Sequence, residues 1–219
     1  MNFCNKKKNK LNFLKKLYLF KKNEILKRLA YFKDTWNKNN KEIFAELCFC
    51  ILTPQSKAEK CNDIICELKR NKLLFKGNFT EIAPYIKKAR FYRKKTDYII
   101  GARKLFRHNG KLRIKDELDI NKIKLTRDWL VKNIKGISYK EASHFLRNIG
   151  FGEDLAILDI HIFRNLKELG VIKEIPRTLS KKKYLEIENK LEQFSKRIKI
   201  PMAHLDLLFW SNETGKIFK

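Results

Sequence analysis

The chain has 219 residues, 43% of them hydrophobic and 16 of them Phe, which is enough apolar material for one large domain or two small ones and too much for a disordered chain. It carries 51 Lys and Arg against 24 Asp and Glu, a formal net charge of +27 that favours a polyanionic partner, nucleic acid being the commonest. No uninterrupted apolar stretch reaches the roughly 20 residues that span a bilayer, so no membrane partner is expected.

Residues 1–23 hold eight Lys and no acid. Lysines break the apolar run Asn12–Phe20, so it reads as a short amphipathic helix rather than the core of a signal peptide. Glu42–Leu52 is apolar nearly all round, the pattern of a helix buried inside a domain. Its Cys48 and Cys50 behave as small core residues. With Cys4, Cys61 and Cys66 they make five cysteines, an odd number without a secretory signal, which fits reduced thiols in a cytoplasmic protein. Their spacing is not that of a zinc knuckle, and no metal is expected. Pro54, Pro84, Pro176 and Pro201 mark turns between helices. Residues 87–107 hold nine basic residues and one acid, interleaved with Phe91, Tyr92 and Tyr98. Such a run is ordinarily a solvated helix face, and the interleaved aromatics bring a DNA contact level with that reading. Ala142, Phe145, Leu146 and Ile149 fall at helical spacing, as do Tyr184, Ile187, Leu191, Phe194 and Ile198. With only 8 Gly and 4 Pro and few alternating runs, the fold class is all-α.

The most specific signal lies in residues 126–170. An amphipathic segment, Thr126–Ile134, runs into Lys135-Gly136-Ile137-Ser138-Tyr139, and a second helix begins at Lys140. Two helices joined by a tight glycine turn can aim backbone N–H groups outward and hold phosphates without reading sequence. The same spacing also suits an ordinary corner between helices. Lys140 falls in the first turn of the second helix, where the helix dipole disfavours an ammonium, and an amine must be unprotonated to attack carbon. In a chain this rich in lysine, position alone favours a surface residue. Nineteen residues later Asp159 interrupts an apolar run, Ile157-Leu158-Asp159-Ile160-His161, and Gly170 marks the end of the helix that follows. Asp159 is either the cap of that helix or a catalytic carboxylate. Met202, Asp206 and Trp210 recur every four residues and share one side of a helix.

Lys135-Gly-Ile-Ser-Tyr-Lys140 and Leu158-Asp-Ile-His-Ile-Phe-Arg164 resemble the hairpin lysine and the aspartate motif of the helix–hairpin–helix DNA glycosylase superfamily, departing at Ser138, where a second glycine is usual. Within it, the second class of archaeal and bacterial 8-oxoguanine DNA glycosylases is most similar. The residues that carry the likeness are Leu47–Thr53, Arg90–Lys94, Gly136–Asn148, Tyr184–Asn189 and Leu205–Trp210, with Thr214–Lys219 at the end. The endonuclease III family shares the lysine and aspartate, but its four-cysteine cluster near the C-terminus has no counterpart after Cys66.

The resemblance implies two helical lobes: a central barrel over 40–154 with its helix–hairpin–helix at about 126–149, and a second lobe from 1–39 and 155–219, with the site in the cleft between them. It implies a bifunctional glycosylase and AP lyase excising 8-oxoguanine from duplex DNA. Lys140 would be the Schiff-base nucleophile and Asp159 the catalytic carboxylate, while Gly136 and Ser138 would hold the DNA backbone. Gln55 would fill the vacated space or touch the orphaned base, unless it is only a solvated turn residue. Trp210 and Phe91 would stack on the extruded base, with Met202, Asp206 and the terminal Lys219 around it. No cofactor is required, and a monomer at the prokaryotic nucleoid is expected. The alternatives are an enzyme for another lesion such as an oxidised pyrimidine, an AP lyase alone, or a non-catalytic DNA-binding module.

Overall fold

The computed structural model describes residues 3–219, with side chains from Lys7 onward, so Cys4 lies outside the described side chains. Its helices are α1 Phe3–Asn37, α2 Asn40–Leu52, α3 Ala58–Arg70, α4 Leu73–Lys76, α5 Phe79–Ile86, α6 Tyr92–Leu105, α7 Ile123–Asn133, α8 Tyr139–Asn148, α9 Ile160–Glu168, α10 Lys181–Ile198 and α11 Met202–Thr214. Between α6 and α7 lie two-residue strands, β1 Arg107–His108 and β2 Lys111–Leu112, paired antiparallel with Arg107 opposite Leu112. Their loop is Asn109-Gly110, both at positive φ, the pair that a two-residue hairpin favours. The fold is all-α, as expected.

The chain divides into two compact units, one of Met1–Phe32 with Gly152–Lys219 and the other of Lys33–Phe151. In the second, α2 is the central helix, packed against α3, α6 and α8. Nine of its thirteen residues are buried, among them Ile43, Phe44, Leu47, Phe49 and Ile51. Each such side chain contributes roughly 1.5–3 kcal/mol of transfer free energy, which is why this helix tolerates an apolar surface all round. Asn39 caps it, its side chain accepting from the N–H of Lys41 and of Glu42. Burial pushes the Cys61 thiol up to about 11 and raises the Cys48 thiol well above its ordinary value, so both are inert core residues. The first unit packs α9 and α10 against α11. Helix α9 ends in a Schellman motif: Gly170 at φ +72 follows the cap, and Val171 N–H bonds to Leu166 O at 2.8 Å.

The N-terminal segment is not a short helix; α1 runs 35 residues, with no Gly or Pro inside it to break it. Pro84 is not between helices but inside α5. Pro84 and Thr80, four residues earlier, are both exposed, so the bond that proline cannot make is lost on the solvent side.

Candidate active site

In the unit Lys33–Phe151, α7 and α8 are joined by residues 134–138. Gly136 takes φ +83, and a Cβ built there would lie 2.3 Å from the Tyr98 ring. Both the conformation and the close approach therefore require glycine. Gly136→Ala should cost about 2 kcal/mol or more of stability through strain and overpacking, read as a lower denaturant midpoint. Ser138 needs no such freedom. It is extended, at φ −103 and ψ −178, and closes a capping box with Glu141 at the start of α8. Its backbone N–H donates to Glu141 Oε2 at 3.2 Å, and its hydroxyl donates to the same carboxylate. The left-handed turn is supplied by one glycine, and the serine satisfies a helix N–H instead.

Lys140 is the second residue of α8. Its side chain is only 22% exposed, and Nζ lies 3.3 Å from Oε1 of buried Glu141. A solvated surface lysine would be neither. Glu141 thus joins the helix cap to the amine, a role that its sequence position could have signalled through the spacing Ser-x-x-Glu.

Two other candidates share a rare backbone conformation. Gln55 has φ +54 in the turn after α2, and Phe91 has φ +60 immediately before α6. Left-handed geometry is uncommon for glutamine and an outlier for an aromatic. Both are exposed, Phe91 at 53%, with the Arg90 guanidinium 5.0 Å from its ring centroid. The basic run of residues 87–107 is not uniformly a contact surface. Within it Lys95 and Arg103 are buried, and Arg103 binds the carbonyls of Leu73, Leu74 and Gly77.

In the unit of Met1–Phe32 and Gly152–Lys219, Asp159 caps α9: Oδ1 accepts the Ile162 N–H at 2.8 Å. The preceding residues, Leu155–Leu158, are buried and irregular. Buried backbone without a helix or sheet needs other partners, and α10 provides them. Glu188 Oε1 accepts from Ala156 N–H at 2.8 Å, and the Tyr184 hydroxyl donates to Ala156 O at 2.5 Å. These two residues hold the segment that delivers Asp159, which periodicity alone does not reveal. On α11, Met202 is buried while Asp206 and Trp210 are half-buried. Trp210 stacks on Phe218, with ring centroids 6.2 Å apart at 29°. The C-terminal segment is tied to α1: Lys21 donates to Gly215 O and Arg28 to Ile217 O, each at 3.4 Å. Lys219 is half-buried.

Gln55, Phe91, Gly136, Ser138 and Lys140 therefore lie in one unit, and Asp159, Met202, Asp206, Trp210 and Lys219 in the other. Among the described residues no group of three His, Cys, Asp or Glu is arranged to hold a metal ion, and no helix is long and apolar enough to cross a membrane.

A profile described as 8-oxoguanine DNA glycosylase matches residues 25–200. The 8-oxoguanine DNA glycosylase/AP lyase of Fusobacterium nucleatum is 46% identical over 98% of this chain and 100% of its own. That of Methanocaldococcus jannaschii is 44% identical over 94% of this chain and 99% of its own. The crystal structure of the latter protein with a 15mer DNA containing 8-oxoguanine superposes with a TM-score of 0.84 at 42% identity, covering 94% of this chain and 99% of that one. The Thermotoga maritima 8-oxoguanine DNA glycosylase gives 0.85 at 34% identity, over 97% and 100%. With a turn that only glycine can make, a half-buried lysine in the first turn after it, and likeness along nearly the whole chain, this protein belongs to the 8-oxoguanine DNA glycosylase family.

Proposed function

We propose that this protein is a bifunctional DNA glycosylase and AP lyase that excises 8-oxoguanine from duplex DNA and then cuts the strand. The observation that carries this reading is Lys140, half-buried at the positive end of α8 directly after the glycine turn, in a chain that matches enzymes of that name over nearly its full length.

DNA is held at the turn of Gly136 and Ser138, where the positive end of α8 faces outward, and through the basic surface, contacts that position without reading sequence. The damaged nucleotide leaves the stack at a cost of about a few kcal/mol. Gln55 fills the space that it vacates, and Phe91 and Trp210 stack on the extruded base. Asp206, Met202 and Lys219 line the edge of the base. The Lys140 amine forms a bond to the sugar C1′ as the bond from C1′ to the base breaks, and the base departs with its electron pair. Asp159 stabilises the positive charge on the sugar in the transition state. The attached nitrogen then loses a proton and shares its lone pair with C1′ as the C1′–O4′ bond breaks and O4′ takes up a proton, which opens the sugar to an imine. The imine loses the C2′ proton, and the 3′ phosphate leaves by β-elimination. The chain supplies its own nucleophile, so the reaction as written needs no cofactor. We further place it as a monomer in the prokaryotic cytoplasm, at the nucleoid.

Single-turnover assays on three duplexes test the reading, one carrying 8-oxoguanine, one an oxidised pyrimidine and one an abasic site. Excision and cutting of the first, with little action on the second, is expected. Cutting of the abasic duplex alone would leave only a lyase, and tight binding without cutting of any would leave a DNA-binding module.

A further inference from the structure

Lys95 is fully inside the protein, 4% exposed, and its ammonium uses all three of its donors. Nζ lies 2.6 Å from Leu52 O, 2.7 Å from Pro54 O and 3.1 Å from Ser56 Oγ. Leu52 closes α2, whose negative dipole end a buried cation suits. Pro54 and Ser56 flank Gln55 on both sides. The same lysine stands one turn into α6, where its backbone N–H donates to Phe91 O at 3.1 Å. The Ser56 hydroxyl oxygen accepts in addition from the backbone N–H of Arg90, at 3.1 Å. The residues on either side of Gln55 and the backbone of Arg90 and Phe91, from different elements, thus join in one hydrogen-bonded network with Lys95 at its centre.

A left-handed glutamine or phenylalanine costs of order 1–3 kcal/mol and persists only where its surroundings impose it. The lysine and serine are what imposes it here. Burying an ammonium is itself unfavourable; desolvation lowers the Lys95 pKa, the charge of Lys140 lowers it further, and Cys61 and Glu141 act the other way. A fold that needed only to close this turn could do so with a neutral donor. With every N–H engaged, Lys95 is not a second nucleophile.

We propose that Lys95, with Ser56, is a positioning clamp that holds Gln55 and Phe91 as a preformed pair for the distorted duplex at the lesion. The clamp rests on the roles of Gln55 and Phe91 proposed above. It acts by holding the two side chains that meet the duplex and the extruded base, and it makes no bond to C1′.

The test is a double-mutant cycle of Lys95→Met and Gln55→Ala in the full chain. Excision of 8-oxoguanine from duplex is measured beside borohydride trapping on a single-stranded oligonucleotide with an abasic site. Lys95→Met should slow duplex excision by roughly tenfold to a hundredfold, the scale of a misplaced positioning group. Trapping on the single strand should stay at the wild-type level, and the two losses should not multiply in the double variant. Multiplying losses, or single-strand trapping that falls in step with duplex excision, would overturn the clamp. A normal Lys95→Met beside a slow Gln55→Ala would overturn the clamp alone. A normal Gln55→Ala would remove the reading of Gln55 and the clamp with it. If Lys95→Met does not fold, Ser56→Ala takes its place in the cycle, with a smaller loss in the same direction expected and the same outcomes deciding.

Discussion

Lys140→Gln should abolish base excision while leaving the protein folded and able to bind DNA. The substitution replaces one good helix former by another at a partly exposed first-turn position, so the thermal midpoint should hold. It removes one cation from a surface of net charge +27, a minor change in the electrostatic attraction for DNA. What it removes entirely is the amine. Loss of an enzymatic nucleophile lowers turnover on the order of a thousandfold or more. Single-turnover excision from an 8-oxoguanine duplex, beside a binding isotherm on the same duplex, separates these effects. Excision within about tenfold of wild type would show that Lys140 is not the nucleophile, since no neighbouring group could replace its amine without a much larger loss.

Asp159→Asn separates two roles that this residue's position combines. As the cap of α9, the side chain accepts the Ile162 N–H, and asparagine caps a helix as well as aspartate does. A purely structural Asp159 therefore predicts little change in either stability or rate. A carboxylate that stabilises a cationic sugar predicts the reverse: unchanged stability with excision slowed about a hundredfold to a thousandfold, the scale of losing one preorganised electrostatic partner. Asp159→Ala completes the comparison. It should lose the same rate and, in addition, about 1 kcal/mol of stability with the cap. An asparagine variant of full activity would reduce Asp159 to its capping role.

The all-α class and the start of α8, placed at Lys140 and found at Tyr139, were legible because helical periodicity and the glycine turn before the helix are local signals. The same is true of α9, with Asp159 before it and Gly170 after it. Helix α2 was legible because an apolar run of that length must be buried. What was not legible is tertiary. Lys95 lies in a run of basic residues and differs from Lys94 in nothing that sequence displays. Its burial follows from where α6 packs against α2 and the turn after it. Gln55 and Phe91 give no local sign of left-handed geometry, since neither residue type prefers it, and a network spanning some forty residues imposes it. Pro84 misled for a related reason: a proline is a break only where the lost bond is buried, and the sequence does not show which side of α5 faces solvent. The pinning of Ala156 by Tyr184 and Glu188 was hidden within a motif whose helical spacing accounts only for its apolar members.

Borohydride reduction during reaction with an 8-oxoguanine duplex, followed by mapping of the cross-linked peptide, tests the Schiff-base route most directly. The expected result is one covalent adduct, on Lys140, with the strand cut in its absence. No adduct despite excision, or an adduct on another amine, would contradict the assignment of the nucleophile.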